Sequence, residues 1–188
     1  NDTILMINGH KQIFELYKGG SVVLSGKVST GKGGFGNKPG GNRTSTGLMQ
    51  VSSIAGKGEE LYTVLVGLRP TTPRIVLGPN KSSPRAAEGH AAEVTTRALV
   101  LSGLEEENAN VQDRNIYVHG TNRERNLGKR SSGGCIRVSN DNIVKLADKY
   151  MSSGDYVYVY HSSFRSNTTS LEPGSKGSTT DIVKSNLM

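Results

Sequence analysis

Short apolar runs with a two-residue rhythm, parted by glycine-rich turns, recur along this chain, and one segment alone breaks the rhythm. The runs occupy residues 3–7, 12–17, 21–28, 47–53, 61–66, 74–77, 95–104, 115–120, 135–138 and 156–160. Alternation sends successive side chains to opposite faces of a strand, so a mainly β fold is expected. Asn8-Gly9 between the first two runs predicts a hairpin. Residues 140–151 are the exception. Ile143, Val144, Leu146, Ala147, Tyr150 and Met151 recur at helical spacing. Ser139 or Asn140 suits the N-cap, Asp141 belongs in a first turn, and Gly154 lies just past the end.

The residues before that helix carry the chemistry. Cys135, the only cysteine, follows His119 by 16 positions and directly follows Gly133-Gly134. In residues 115–120, Ile116 and Val118 face one side while Tyr117 and His119 face the other. In residues 135–138, Ile136 and Val138 turn inward, leaving Cys135 and Arg137 opposite. If the two segments lie side by side, His119, Cys135 and Arg137 converge. A thiol needs deprotonation to act as a nucleophile, and a nearby imidazole or guanidinium favours the thiolate. An activated Cys135 is therefore expected to alkylate well below pH ~8.5, where an ordinary thiol ionises. The glycines let backbone amides approach a substrate, so those of Gly134 and Cys135 are candidate oxyanion donors. The Gly120 carbonyl is the candidate acceptor for the second imidazole nitrogen.

This stretch resembles the catalytic signature of the L,D-transpeptidases of the YkuD type: a His-Gly-Thr strand end, a variable loop, then Ser-x-Gly-Cys-Ile-Arg and a helix. The matching residues are His119-Gly120-Thr121, the loop 122–130, and Ser132-Gly133-Gly134-Cys135-Ile136-Arg137. The resemblance implies a YkuD-like β-sandwich of mixed sheets with one clear helix after the cysteine. It implies Cys135 as nucleophile, His119 as general base, Gly120 orienting the imidazole, and Arg137 near substrate carboxylates. Gly134, Gly133, Ser132, Thr121 and Tyr117 complete the candidate site. Many members have histidine where this chain has Gly133. Peptidoglycan stem peptides are the implied partner, with no cofactor and an extracytoplasmic location. L,D-transpeptidation and L,D-carboxypeptidation share the thioester and differ in the acceptor. A sortase-type transpeptidase also uses His, Cys and Arg, but Ser132-Gly133-Gly134 does not match the Thr-Leu-x-Thr segment of sortases.

With 188 residues, one domain is expected over 1–160, followed by a polar, Ser/Thr-rich flexible tail over 161–188. The net charge of +7 fits an acidic or polyanionic partner. Nucleic acid is not expected, because the basic residues do not cluster with aromatics. A non-catalytic basic wall-binding module is the competing reading from another class. No run approaches the ~18 apolar residues of a membrane-spanning helix. The start at Asn1 fits a trimmed form from which an export signal was removed.

Other stretches carry weaker signals. Residues 29–46 are Gly-rich, but Gly31-Lys32-Gly33-Gly34 lacks P-loop spacing and a following helix, which favours a flexible loop. Thr44-Ser45-Thr46-Gly47 loosely matches a cleft-lining segment of the resembled family. Residues 78–94 form a polar insertion that suggests a lid. No metal is expected, because Glu88-Gly89-His90 has no companion pair at ligand spacing. His10 belongs in a turn, and Glu105-Glu106-Glu107 in a solvated one. Arg97 and Arg114 hold either loops or acidic substrate groups. The tyrosines of residues 156–160 suit a sheet face, and His161 at that strand's end is not counted into the site.

Overall fold

The computed structural model describes residues 3–89 and 92–161. The apolar run Thr3–Asn8 forms β1, buried on both faces. Leu5 and Ile7 join the main core, while Ile4 and Met6 pack with Tyr158 in a smaller cluster on the other side. β2 (Ile13–Lys18) returns antiparallel, as the Asn8-Gly9 hairpin predicts. Asn8 Oδ1 accepts from the His10 and Lys11 amides and so shapes that turn. β3 (Ser21–Lys27) follows on the outer edge.

The remaining strands are β4 (Gly47–Ala55), β5 (Val64–Val66), β6 (Arg69–Pro70), β7 (Val94–Gly103), β8 (Tyr117–Thr121), β9 (Ile136–Val138) and β10 (Tyr156–Tyr160). They bond in the order β3-β2-β1-β10-β4-β7-β8-β9, and the β5–β6 hairpin joins β7 beyond the point where β4 ends. β1–β10 and β8–β9 are parallel pairs and the rest antiparallel, so the sheet is mixed. The mainly β architecture with one helix is the expected one, its strands joined in one hydrogen-bonded network. That network carries the main core, which Ile143, Leu146, Ala147 and Met151 of the helical segment share with Leu99, Val118 and Ile136.

Several boundaries differ from the sequence pattern. Of residues 61–66 only Val64–Val66 is strand, because Tyr62 has φ +66° and turns the chain. Residues 74–77 form a single bridge from Val76 to Thr63 instead of a strand. The helix starts at Asn140 as expected, capped by Ser139, whose hydroxyl accepts from the Asn142 amide. α1 (Asn140–Val144) then widens to π-type bonding over Lys145–Tyr150, with the Met151 amide donating to Leu146 O. The wider turn brings Leu146 and Met151, five apart, to the same buried face. The acidic run leads a 3₁₀ turn, Glu106–Val111, closed by a capping box between Glu105 and Asn108.

No helix among the described residues is long and apolar enough to cross a membrane. Apart from His161, the expected tail lies outside the described residues, as does His90.

Candidate active site

The parallel pairing of β8 with β9 is what assembles the site. Its register sets Val118 against Ile136 and His119 against Arg137, and in a parallel pair opposed side chains share a face. Val118 and Ile136 are fully buried in the core. Tyr117, His119, Arg137 and Cys135, immediately before β9, therefore share the opposite face. His119 and Cys135 are diagonal neighbours, about 8 Å apart at Cα for ordinary strand spacing and rise.

His119 is buried, and its Nδ1 lies 2.7 Å from Gly120 O. A carbonyl only accepts, so Nδ1 carries the proton and Nε2 presents a lone pair. Burial lowers the imidazole pKa to about 4; the Gly120 hydrogen bond resists this and the Arg137 charge adds to it. Cys135 keeps intermediate exposure, and Sγ donates to Asn115 O at 3.2 Å. Burial raises the thiol pKa, against opposing pulls from the Tyr117 backbone and Arg137. At rest both partners are neutral. The thiolate expected from Arg137's charge is thus corrected: desolvation of the sulfur outweighs the guanidinium, and activation falls to a base acting during attack.

The turn before Cys135 is stitched by Ser132, whose hydroxyl donates to Cys135 O at 2.6 Å and accepts from the Gly134 amide at 3.1 Å. The Gly134 amide expected at the oxyanion is thereby engaged at rest. Gly134 itself has φ +137°, and a Cβ there would stand 3.0 Å from Ile116 Cδ1 and 3.1 Å from Arg43 O. Gly133 has only Asn42 Oδ1 near its Cβ position, at 3.6 Å. Thermal melts should separate the two glycines: Gly134→Ala is expected to cost about 1–3 kcal/mol, and Gly133→Ala within about 0.5 kcal/mol. Equal losses would mean that the turn relaxes freely.

Arg137 donates to Ser131 O at 3.3 Å, and its buried Nε has no hydrogen-bond partner. Burial lowers its pKa; the Cys135 sulfur counters this and the Arg123 charge adds to it. Tyr117 is half-buried, its hydroxyl donating to Asn115 Oδ1 at 2.7 Å. Thr121 does not join the open face. It is fully buried, and its hydroxyl accepts from the Arg123 amide.

Local pattern could not reveal the residues that brace this face. The Gly-rich loop, expected to be flexible, is tied down at many points. The Lys32 amide donates to Ser132 O, the Gly33 amide to Asn42 O and the Gly36 amide to Thr44 O. Buried Thr44 donates its hydroxyl to Gly134 O at 2.7 Å and accepts from the Gly31 amide. Arg114 donates to Gly36 O, Ser45 Oγ and Arg43 O, which gives it the loop-holding role. Arg97 also holds structure, pairing with Asp148 at 3.0 Å and donating to Glu59 O.

The insertion suggested as a lid is anchored at both ends by Asn122, one residue beyond β8. Asn122 Nδ2 donates to Lys81 O, and its Oδ1 accepts from the Glu93 amide. Within it, buried Glu93 pairs with Arg85 and accepts from Ser83. Glu88 pairs with Arg85. These bonds tie the described residues of the insertion beside the His119 strand.

A family model described as the L,D-transpeptidase catalytic domain (YkuD) matches residues 2–159. The chain is 57% identical over 35 residues to the Bacillus subtilis protein YqjB, covering 18% of this chain and 20% of YqjB. Among solved structures it resembles the L,D-transpeptidase of Xylanimonas cellulosilytica, with TM-score 0.51, 20% identity, 84% of this chain and 60% of that one covered. The L,D-transpeptidase of Mycobacterium smegmatis gives TM-score 0.51 and 18% identity over 85% of this chain and 58% of that one. An Enterococcus faecium L,D-transpeptidase mutant gives 0.51 and 16%, over 85% and 50%. The chain spans 60% or less of the length of these relatives, and at such identities the likeness to the solved structures is one of fold.

Proposed function

Because the chain belongs to the L,D-transpeptidase catalytic-domain family, we propose that it is a cysteine acyltransferase acting on peptidoglycan stem peptides. The observation that carries the reading is a half-exposed thiol diagonal, on one strand face, to a neutral histidine whose tautomer a backbone carbonyl sets.

In the proposed cycle, Sγ turns from Asn115 O toward His119 Nε2 and gives up its proton as it attacks the carbonyl carbon of an L-to-D peptide bond. The Cys135 amide faces the developing oxyanion. The Gly134 amide joins it once Ser132 Oγ releases it. The C–N bond breaks, the leaving amine takes the proton from His119, and a Cys135 thioester remains. An acceptor amine then attacks the thioester carbon, passes its proton through His119 to sulfur, and leaves as the new amide. Water in place of the amine gives L,D-carboxypeptidation, the alternative outcome. Arg137, with an unsatisfied buried Nε beside the thiol, suits a substrate carboxylate. A peptidoglycan substrate carries with it an extracytoplasmic location.

The test is mass spectrometry of muropeptides incubated with the wild type and with Cys135→Ala. New cross-links or exchanged terminal D-amino acids, present only with the wild type, are expected. Shortening to tripeptides alone would select the carboxypeptidase. No Cys135-dependent product would remove the reading and return the basic wall-binding module.

A further inference from the structure

Gly134 is the point of greatest freedom in the turn that presents Cys135. With φ +137° and no side chain, it lets the peptide plane that joins it to Cys135 rotate at little torsional cost. That plane carries the Gly134 carbonyl and the Cys135 amide, which in a trans peptide point in opposite directions. One orientation turns the N–H outward as a donor. The flipped one puts the Gly134 carbonyl in its place, where a developing oxyanion would meet a second oxygen.

Thr44 decides between the two. Its hydroxyl donates to Gly134 O at 2.7 Å and accepts from the Gly31 amide at 2.8 Å, so both its proton and its rotamer are assigned. The side chain is fully buried. Its backbone is bound as well, the Thr44 amide donating to Gly34 O and its carbonyl accepting from the Gly36 amide. Arg114 holds the residues on either side, through Arg43 O and Ser45 Oγ. A hydroxyl fixed in this way at Gly134 O keeps the Cys135 N–H pointing away from Thr44. The two amides of the turn differ accordingly. That of Gly134 is taken by Ser132 Oγ, whereas no hydrogen bond among the described residues uses that of Cys135. A hydrogen bond accepted at the carbonyl also polarises the N–H of the same peptide.

We propose that Thr44 is a positioning residue for acyl transfer, its hydroxyl locking the Gly134–Cys135 peptide in the orientation that offers the Cys135 amide to the oxyanion. The inference rests on the acyl-transfer reading and adds the group that sets its donor. Thr44 does not touch the substrate. It acts through one peptide plane.

The experiment compares two reactions of the same sulfur in the full chain, with Cys135→Ala as the blank. 4-Nitrophenyl acetate is attacked at its carbonyl: an S–C bond forms through an oxyanion, 4-nitrophenolate leaves, the thiol proton passes to His119, and water then releases acetate. Iodoacetamide is attacked at a saturated carbon, iodide leaves, and no oxyanion forms. Thr44→Val keeps the shape and removes the hydroxyl. It is expected to slow nitrophenolate release about 10- to 100-fold, mainly in kcat, and alkylation by less than about twofold. Thr44→Ser should return release to within about threefold of the wild type. Equal loss in both reactions would make Thr44 a brace for the sulfur and overturn the role. A serine variant no better than valine would do the same. If the valine variant does not fold, amide exchange in the wild type carries the test. The open Cys135 amide should then exchange at least about tenfold faster than that of Arg137, which donates to Ser29 O. Equal protection overturns the outward orientation. Normal wild-type release with an indifferent Thr44→Val removes the positioning role alone. A wild type that alkylates at Cys135 but releases no nitrophenolate removes the acyl-transfer reading and this role with it.

Discussion

Replacing His119 with alanine is expected to lower turnover by about a hundred- to ten-thousand-fold, the usual loss when a positioned base is removed. The wild-type profile of kcat/KM against pH should have its acid limb near 4, the value to which burial lowers the imidazole. The sign follows from the form required. In the proposed cycle the base is neutral imidazole, present above its pKa and lost below it, so lowering the pKa extends activity toward acid. Alkylation of the free enzyme should rise only above the ordinary thiol range, because burial holds the proton on Cys135. An acid limb near 6.5 would mean a solvated imidazole and would break the link between burial and base strength. Stability carries the same signature. Unfolded His119 titrates near 6.5 and folded His119 near 4, so between these values the unfolded chain binds more protons. Stability therefore falls as pH drops through that window, by roughly 3 kcal/mol in all from this group. Urea midpoints at pH 7 and pH 4 should differ less in His119→Gln than in the wild type.

The face that carries this chemistry was readable because it depends on local alternation. Ile116, Val118, Ile136 and Val138 mark the buried side, and their neighbours His119, Arg137 and Cys135 must then share the other. What alternation does not report is register and the partners beyond the strands. Thr44 sits in a stretch that reads as loose glycine-rich loop, yet its hydroxyl bonds to a carbonyl 90 positions away. Asn122 reads as the first residue of a variable loop and instead anchors residues 81 and 93. The thiol's protonation was misjudged for a related reason. Charge partners are visible in a sequence, whereas desolvation depends on how many atoms close around a group, and here desolvation is the larger effect. Arg114 shows the opposite case. Its charge drew attention, but three of its N–H groups go to loop oxygens, and it supplies geometry to the loop.

Asn140 carries the largest expected loss of stability. The sequence offers it as an N-cap, but Ser139 takes that role and the Asn140 side chain points inward, fully buried. Its Oδ1 accepts from the hydroxyls of Thr95 and Thr96, and its Nδ2 donates to Thr121 O and Glu124 Oε1, each at 2.8 Å. One amide thus joins the helix start to the bulge of β7 and the end of β8. It does so directly under Gly120, where a Cβ would come within 2.6 Å of Asn140 Oδ1. Asn140→Ala strips two hydroxyls and a carbonyl of their partner where water cannot replace it. The loss should reach about 3–5 kcal/mol, since each stranded group costs about 1–3 kcal/mol and part of the strain relaxes. A chain with a total margin of about 5–15 kcal/mol would then be close to unfolding at 37 °C. Asn140→Asp keeps the shape and the acceptor but sets a second oxygen against Thr121 O and Glu124. It should destabilise at neutral pH and recover in part on acidification, when a protonated carboxyl again donates. Denaturant midpoints of both variants, with turnover measured in the folded fraction, separate packing from positioning. A drop in turnover beyond the folded fraction is expected, because Gly120, whose carbonyl sets the His119 tautomer, packs directly against this amide. A loss under about 1 kcal/mol in Asn140→Ala would show that the network is not what locks the helix to the strand bearing His119.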